Sequence, residues 1–253
     1  MIKPVKTGQT IAVWFSCGAA SYTALKLTLE KYPECKVLAL NNPIKEEDED
    51  NQRFLNDAAE KLGVKIISVL NNKYPDASCV DVWNDRSYMS GVGGAPCTGE
   101  LKKKARQQWE KDNHVDWHVL GFTVDEKKRH SNFVAGEREN LLPVLIDSNM
   151  TKGDCYKVVE LDGLELPRIY KQGYPNANCI GCVKATSPTY WNHVRKIHPD
   201  VFQERAEQSE RIGAKLVRVK GERILLKDLD PSAKGRPMKD MDFECGIFCE
   251  ELK

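Results

Sequence analysis

Apolar and polar residues alternate along the first half of the chain in blocks that predict strands and helices in turn. An apolar run at 10–15 ends in small residues and precedes a helical pattern at 22–31. A second run at 36–40 precedes 46–62, whose apolar residues recur at helical spacing, and a third run follows at 64–70. Strands and helices that alternate at this interval predict an α/β fold with a doubly wound, mainly parallel sheet.

The alternation of predicted strands and helices continues and then changes beyond Pro167. Before the change, the sequence predicts a charged helix at 100–111, a strand at 116–122 and a helix start at the capping-box sequence 151–154. After it, the chain is rich in Tyr, Gly, Pro and Asn, and then shows two helical patterns and a hairpin-like pattern at 216–226. We expect an α/β domain and a cysteine-containing helical and hairpin extension packed on it: residues 1–164 and 165–253.

Net charge and hydropathy limit the classes of partner. Lys and Arg total 38 against 37 Asp and Glu, so the overall charge does not favour nucleic acid or a membrane surface. No apolar run approaches the roughly 18 residues that span a bilayer, and the first residues lack a signal-like apolar stretch. We therefore expect a cytoplasmic protein with no membrane partner. In that reducing compartment, nine cysteines indicate buried thiols, metal ligands and nucleophiles rather than disulfides.

Four of the cysteines form two closely spaced pairs near the end of the chain. Cys179 and Cys182 have C-x-x-C spacing, and Cys245 and Cys249 have C-x-x-x-C spacing. Each pair can present two thiolates from one tight turn, so the four together suit one [4Fe-4S] cluster or one Zn²⁺ ion. The competing hypothesis keeps Cys245 as a free nucleophile, because one thiolate does not easily serve as both ligand and nucleophile.

The other cysteines give weaker signals. Cys97 lies ahead of the predicted helix at 100–111, where a thiolate is stabilised, so it is a candidate resolving thiol or further ligand. Cys35, Cys79 and Cys155 have no partner at a telling spacing. We expect these three to be core or near-surface thiols.

A loop of small residues follows the first predicted strand. The sequence Ser-Cys-Gly-Ala-Ala-Ser at 16–21 places backbone N–H groups and hydroxyls at the start of a helix, where an anion is stabilised. A tight strand-to-helix turn also favours small residues, but the position after the first strand favours a phosphate or sulfate site. The candidate binding residues are Ser16, Cys17, Gly18, Ala19 and Ser21.

The loop at 16–21 resembles the Ser-Gly-Gly-x-Asp-Ser loop of the PP-loop superfamily. The blocks after it resemble the phosphoadenosine phosphosulfate (PAPS) reductase family within that superfamily, over about residues 9–212 and again near the end of the chain. The order of the blocks carries the resemblance, since each block alone is a weak motif. The blocks are Asn41-Asn42 with Glu46 and Glu47, 97–102, Gly121-Phe122 with Glu126 and Arg129, 178–184, and 244–247.

The resemblance implies an adenine nucleotide α-hydrolase-like fold with a nucleotide across the strand ends. On that basis the loop holds phosphate or sulfate oxygens, and Lys102 with Arg129 clamps the remaining charge. The chain has Cys17 where the superfamily loop usually has glycine, and Ala20 where it usually has aspartate. The missing carboxylate removes a contact for Mg²⁺ or catalysis, which favours reductase-like or binding roles over ATP cleavage.

The segment at 244–248 resembles the Glu-Cys-Gly-Leu-His segment that carries the nucleophile of the family's reductases, with Phe248 in place of histidine. The resemblance implies that Cys245 attacks sulfur and that a thiol electron donor then supplies reducing equivalents. The leading hypothesis is an oxidoreductase of sulfur metabolism. It would bind an adenine nucleotide or sulfonucleotide and carry out thiol- or Fe–S-assisted chemistry.

Two other functions are kept as alternatives. One is a PP-loop sulfurtransferase that modifies tRNA or DNA, for which the basic residues within 102–106 and 127–130 would form a path for a polyanion. The other is a non-catalytic nucleotide-binding protein whose loop has lost the aspartate and kept the fold.

Overall fold

The computed structural model describes residues 4–91 and 94–238, which fall into two compact units. Of the described residues, unit 1 takes 4–43, 49–70 and 105–168. Unit 2 takes 44–48, 71–91, 94–104 and 169–238. The expected division into domains after Leu164 stays a prediction; the two compact units differ from it, since unit 2 includes 44–48 and most of 71–104.

A five-stranded, all-parallel sheet forms the centre of unit 1, which confirms the α/β fold class. The strands are β1 (Thr10–Trp14), β2 (Lys36–Asn41), β3 (Ile66–Ser68), β4 (Trp117–Val119) and β5 (Leu141–Leu142). Their order in the sheet is β3-β2-β1-β4-β5. The chain moves outward from β1 through β2 and β3, and then returns to the other side of β1. The order therefore reverses between β1 and β4, the position where such sheets bind ligands beyond the carboxyl ends of the strands.

Helices flank this sheet on both faces. The α-helices of the described residues are α1 (Ala19–Lys31), α2 (Asp50–Leu62), α3 (Cys79–Arg86), α4 (Ala105–Asp112), α5 (Lys127–Gly136), α6 (Val144–Asp147), α7 (Lys152–Leu161), α8 (Arg168–Lys171), α9 (Pro188–Ile197) and α10 (Pro199–Ile212). Ile11 and Val13 share a buried core with residues of α1 and α2. Trp14 points to the opposite face, where its ring lies 6.2 Å from that of Trp109 in α4. This two-sided cover is consistent with a doubly wound fold.

Unit 2 has a separate core and a small hairpin. Trp83, Tyr190 and Trp191 are among its fully buried side chains. The antiparallel strands β6 (Val217–Val219) and β7 (Glu222–Ile224) meet at a turn whose two residues both have positive φ. That geometry matches the right-handed twist of paired strands, and the predicted hairpin is confirmed.

Side-chain hydrogen bonds between residues close in the sequence fix where helices begin. Thr151 begins α7 with the predicted capping box: its Oγ1 accepts the Asp154 N–H at 3.2 Å, and the Asp154 carboxylate accepts the Thr151 N–H at 3.1 Å. The predicted helix at 100–111 differs in type, since Thr98–Lys104 is a π-helix that leads into α4. The part of the chain that is described contains no helix long and apolar enough to cross a membrane.

Candidate functional site

The loop at 16–21 lies at the carboxyl end of β1, as predicted. Cys17 has a φ of 56°, the left-handed backbone that glycine adopts without steric cost. The Ser21 hydroxyl accepts the N–H of Ser16 at 3.1 Å and the N–H of Gly18 at 3.2 Å, and it donates to the Gly18 carbonyl at 2.9 Å. Two backbone N–H groups of the loop are therefore bonded to the Ser21 hydroxyl at the start of α1.

Neighbouring strands hold this loop in place. Gly121 follows β4, and a Cβ atom there would lie 3.0 Å from the Ser21 nitrogen and 3.1 Å from the Ala20 carbonyl carbon. Both are backbone atoms, so only glycine permits this close approach without moving the loop. From the end of β2, Asn41 Nδ2 donates to the Phe15 carbonyl at 2.8 Å. The loop is thus fixed where the strand order reverses.

The two predicted charge clamps each contact a carboxylate. Arg129 Nη1 donates to Glu126 Oε1 at 2.7 Å, and its guanidinium lies 5.1 Å from the centre of the Phe122 ring. Lys102 belongs to unit 2, where its Nζ lies 3.6 Å from the Glu47 carboxylate and both side chains are largely buried. Their contact with a nucleotide stays a prediction.

The C-x-x-C pair forms a buried turn in unit 2. Gly181, between Cys179 and Cys182, has a φ of 71°, and a Cβ there would lie 3.1 Å from Val201 Cγ1 of α10. The Cys182 N–H donates to the Tyr190 hydroxyl at 2.8 Å. Both cysteines are buried, so the turn presents its thiols to the core rather than to solvent.

Cys79 and Cys97 lie beside this turn. The neighbouring thiols of Cys179 and Cys97, together with burial, raise the pKa of Cys79. The hydrogen bond from Cys79 lowers the pKa of Cys97 to about 7, against the effect of burial; the Lys184 charge and the Trp83 indole also lower it. Cys79 is a core thiol, as expected. Its neighbours Cys97 and Cys179 are distant in the sequence, so spacing gives no signal.

Glu46 connects the segment that carries Cys79 with the C-x-x-C turn. Its Oε2 accepts the N–H of Cys79 at 2.8 Å, its Oε1 accepts the Ser78 hydroxyl at 3.0 Å, and its carbonyl accepts the N–H of Ile180 at 2.9 Å. Ser78 also caps α3 by accepting the Asp81 N–H at 3.2 Å. This Ser-x-x-Asp sequence is a capping signal from which α3, absent from our expectations, could have been predicted.

The candidate metal ligands in unit 2 are cysteine side chains. In residues 4–91 and 94–238, no group of three or more His, Cys, Asp or Glu side chains that could hold a metal ion is found. Unit 2 contains four buried cysteines that form no disulfide, and thiols are the donor type that Zn²⁺ and iron–sulfur clusters prefer: Cys79, Cys97, Cys179 and Cys182. Cys245 and Cys249 lie outside the described residues. Ligation by the predicted set of Cys179, Cys182, Cys245 and Cys249 stays a prediction.

Comparison with known proteins does not assign the chain to a family. No protein-family model matches the chain, and no curated protein matches it significantly. The resemblance to the PAPS reductase family therefore rests on the sequence blocks alone.

Proposed function

We propose that this chain is a PAPS-reductase-like enzyme that binds a sulfonucleotide at the 16–21 loop and carries out thiol- or Fe–S-assisted sulfur chemistry. The position of the loop carries the proposal. It follows β1 at the reversal of strand order, where parallel sheets bind nucleotides. Gly121, after the neighbouring strand β4, packs directly against it.

The start of α1 supports binding of the anionic end of such a substrate. This helix has 13 residues and no acidic residue in its first turn, so its N-terminus attracts negative charge. Ala20 supplies no carboxylate for Mg²⁺. A nucleotide whose sulfate is already activated therefore suits this loop better than ATP that must be cleaved.

The proposed chemistry needs Cys245 and two donor thiols, and no other reductant. The Cys245 thiolate attacks the sulfur atom of the phosphosulfate, the S–O bond to phosphate breaks, and the nucleotide leaves with the electron pair. This step leaves an S-sulfonated cysteine. A donor thiolate then attacks the Cys245 sulfur, which releases sulfite and forms a disulfide; a second donor thiol restores Cys245.

The alternative of sulfur transfer to nucleic acid gains no support from the basic segment at 102–106. Lys104 pairs with Glu100 at 2.8 Å, and Arg106 pairs with Glu110 at 3.1 Å. Neutralised cations offer less attraction for a polyanion than free ones. We therefore keep the sulfonucleotide as the proposed substrate.

Sulfite release tests the proposal. Anaerobically purified protein would be incubated with PAPS or adenylyl sulfate and with a dithiol donor, and sulfite would be measured. We expect sulfite from the wild type and none from Cys245→Ser, which should still bind the nucleotide. Binding without sulfite release would favour the non-catalytic alternative, and absence of both would reject the proposal.

A further inference from the structure

The C-x-x-C sequence of unit 2 forms a tight turn that brings its two cysteines together. Ile180 and Gly181 are the central residues of this turn, and the φ of 71° at Gly181 is the left-handed backbone that the third position of a type II turn requires. Such a turn holds its first and fourth Cα atoms within about 7 Å, and disulfides span Cα separations of about 4.4–6.8 Å. We propose that Cys179 and Cys182 are a redox-active dithiol that peroxide oxidises to a disulfide within the turn.

The Tyr190 hydroxyl closes this turn. It accepts the N–H of Cys182 at 2.8 Å and donates to the carbonyl of Cys179 at 3.5 Å. On the other side, the Ile180 N–H donates to the Glu46 carbonyl at 2.9 Å. The backbone that carries both cysteines is therefore fixed, and disulfide formation requires rotation of two side chains rather than refolding.

A small cavity lies against Cys179. Tyr174, Asn176, Asn178 and Tyr190 also line it. Tyr174 is 5% exposed, and its hydroxyl has no hydrogen-bond partner among the described residues. A buried hydroxyl without a partner is costly, so this group favours a small polar molecule in the cavity. The cavity therefore offers a polar reactant a position beside Cys179.

The size of the cavity selects the oxidant. Its free volume is about 10 Å³, near the minimum that holds one water molecule. A disulfide reagent of the size of oxidised glutathione is far larger than this space, whereas hydrogen peroxide has only two heavy atoms. Cys179 is the first thiol to react because it lines the cavity, and Cys182 is the second.

The oxidation takes two steps. The Cys179 thiolate attacks one oxygen of hydrogen peroxide, the O–O bond breaks, and the leaving hydroxide takes the thiol proton to form water. Cys179 is then a sulfenic acid. The Cys182 thiolate attacks the Cys179 sulfur, which forms the disulfide and releases a second water. One peroxide is thus reduced to two waters by two thiols, and a dithiol reagent restores both thiols.

This redox role and the predicted metal ligation use the same two cysteines in different ways. A bound metal would hold both thiolates and would have to leave before the disulfide formed. The redox role needs no nucleotide, so it and the proposed function can fail separately.

Mass spectrometry of the wild-type protein is the first test. Folded protein would be treated with hydrogen peroxide, alkylated with iodoacetamide in denaturant and digested with trypsin, which leaves both cysteines in the peptide 172–184. We expect this peptide to escape alkylation and to be lighter by about 2 Da than the reduced peptide, since a disulfide lacks two hydrogens. Dithiothreitol should reverse both changes. Cys155, which is fully buried in unit 1, is the internal control and should stay reduced.

Three variants test the roles of the individual side chains. Cys182→Ser should stop the reaction at the sulfenic acid of Cys179, which dimedone captures, and Cys179→Ser should leave Cys182 reduced. Tyr174→Phe removes only the hydroxyl in the cavity and should slow the oxidation without changing its product. Equal rates for Tyr174→Phe and the wild type would overturn the role of the cavity.

Three results with the wild type would overturn the proposal itself. The first is a pair that stays reduced while the partly buried Cys35 is oxidised. The second is a disulfide from Cys179 to a cysteine other than Cys182. The third is a bound metal in the purified protein that must be removed before the pair reacts.

Discussion

The carboxylate of Glu46 accepts the backbone N–H of Cys79 at 2.8 Å, directly at the start of α3. The same residue binds the C-x-x-C turn through its carbonyl. A carboxylate at a helix N-terminus is stabilised both by hydrogen bonds and by the helix dipole. In this protein that ordinary capping contact also fixes the relative positions of two cysteine-bearing segments.

Replacing Glu46 should therefore destabilise unit 2. Glu46→Ala leaves the buried N–H of Cys79 and the Ser78 hydroxyl without their acceptor, so we expect a loss of about 1–3 kcal/mol in the free energy of unfolding. Urea denaturation would measure this loss in the free energy of unfolding. Glu49→Ala is the control, because the Glu49 side chain is 87% exposed and should change stability by less than about 0.5 kcal/mol. Equal stabilities for the two variants would contradict this role of Glu46.

Gly121→Ala should disturb the 16–21 loop. The added methyl group would lie about 3 Å from backbone atoms of Ala20 and Ser21, so the loop must shift. We expect a loss of about 1–3 kcal/mol in stability and a marked loss of affinity for the nucleotide.

Gly99→Ala is the matched control for that substitution. A Cβ at Gly99 would meet no heavy atom within 4 Å, and Gly99 lies outside the positive-φ region. Stability and nucleotide affinity should therefore stay close to the wild-type values. A normal affinity for Gly121→Ala would show that this contact does not shape the binding site.

His118 should make stability depend on pH. It is buried in β4, where Nδ1 accepts the Trp14 indole N–H at 3.1 Å; burial, together with the charges of Arg138 and Arg106, lowers its pKa to about 3. The unfolded chain binds a proton near the ordinary pKa of about 6.5 and the folded chain does not, so stability falls as the pH drops between these values. The contribution approaches about 1.4 kcal/mol per pH unit.

The variant His118→Gln isolates this contribution. Its amide oxygen can still accept the Trp14 N–H, but the side chain does not titrate. Urea denaturation between about pH 7 and about pH 4.5 should give a smaller loss of stability for the variant than for the wild type. Identical pH dependences would show that His118 is not held neutral by the fold.

A double-mutant cycle distinguishes the ion pair of Lys102 with Glu47 from the predicted contact of Lys102 with the nucleotide. Its ammonium lies 3.6 Å from the Glu47 carboxylate in a largely buried pair, so Lys102→Met leaves a buried charge and should cost about 3 kcal/mol. Adding Glu47→Gln should restore much of that stability. If Lys102 also clamps the nucleotide, affinity should stay low in the double variant. Recovery of both properties would restrict Lys102 to the ion pair.

Much of unit 1 could be predicted because its signals are local. The apolar run that became β1, the small loop after it and the capping box of Thr151 and Asp154 are each encoded within a few residues. The candidate binding residues at 16–21 could be predicted because this loop directly follows the first predicted strand. Short elements such as β5, which has two residues, carry too little pattern to be predicted and depend on neighbours in the sheet.

The buried cysteines of unit 2 could be predicted only in part, for a different reason. The C-x-x-C spacing identified Cys179 and Cys182, since both cysteines lie in one turn. Cys79 and Cys97 belong to the same buried core because distant segments pack together, and a single sequence contains no spacing that reports such packing. Spacing instead directed attention to Cys245 and Cys249, which lie outside the described residues.

Equilibrium binding of PAPS, measured by isothermal titration calorimetry under anaerobic conditions, tests the central claim most directly. We predict saturable binding at one site per chain. Adenosine 3′,5′-bisphosphate should compete for the site, and Gly121→Ala should weaken binding while Gly99→Ala leaves it unchanged. Absence of binding by folded wild-type protein, or equal binding by both glycine variants, would contradict the assignment of the 16–21 loop as a sulfonucleotide site.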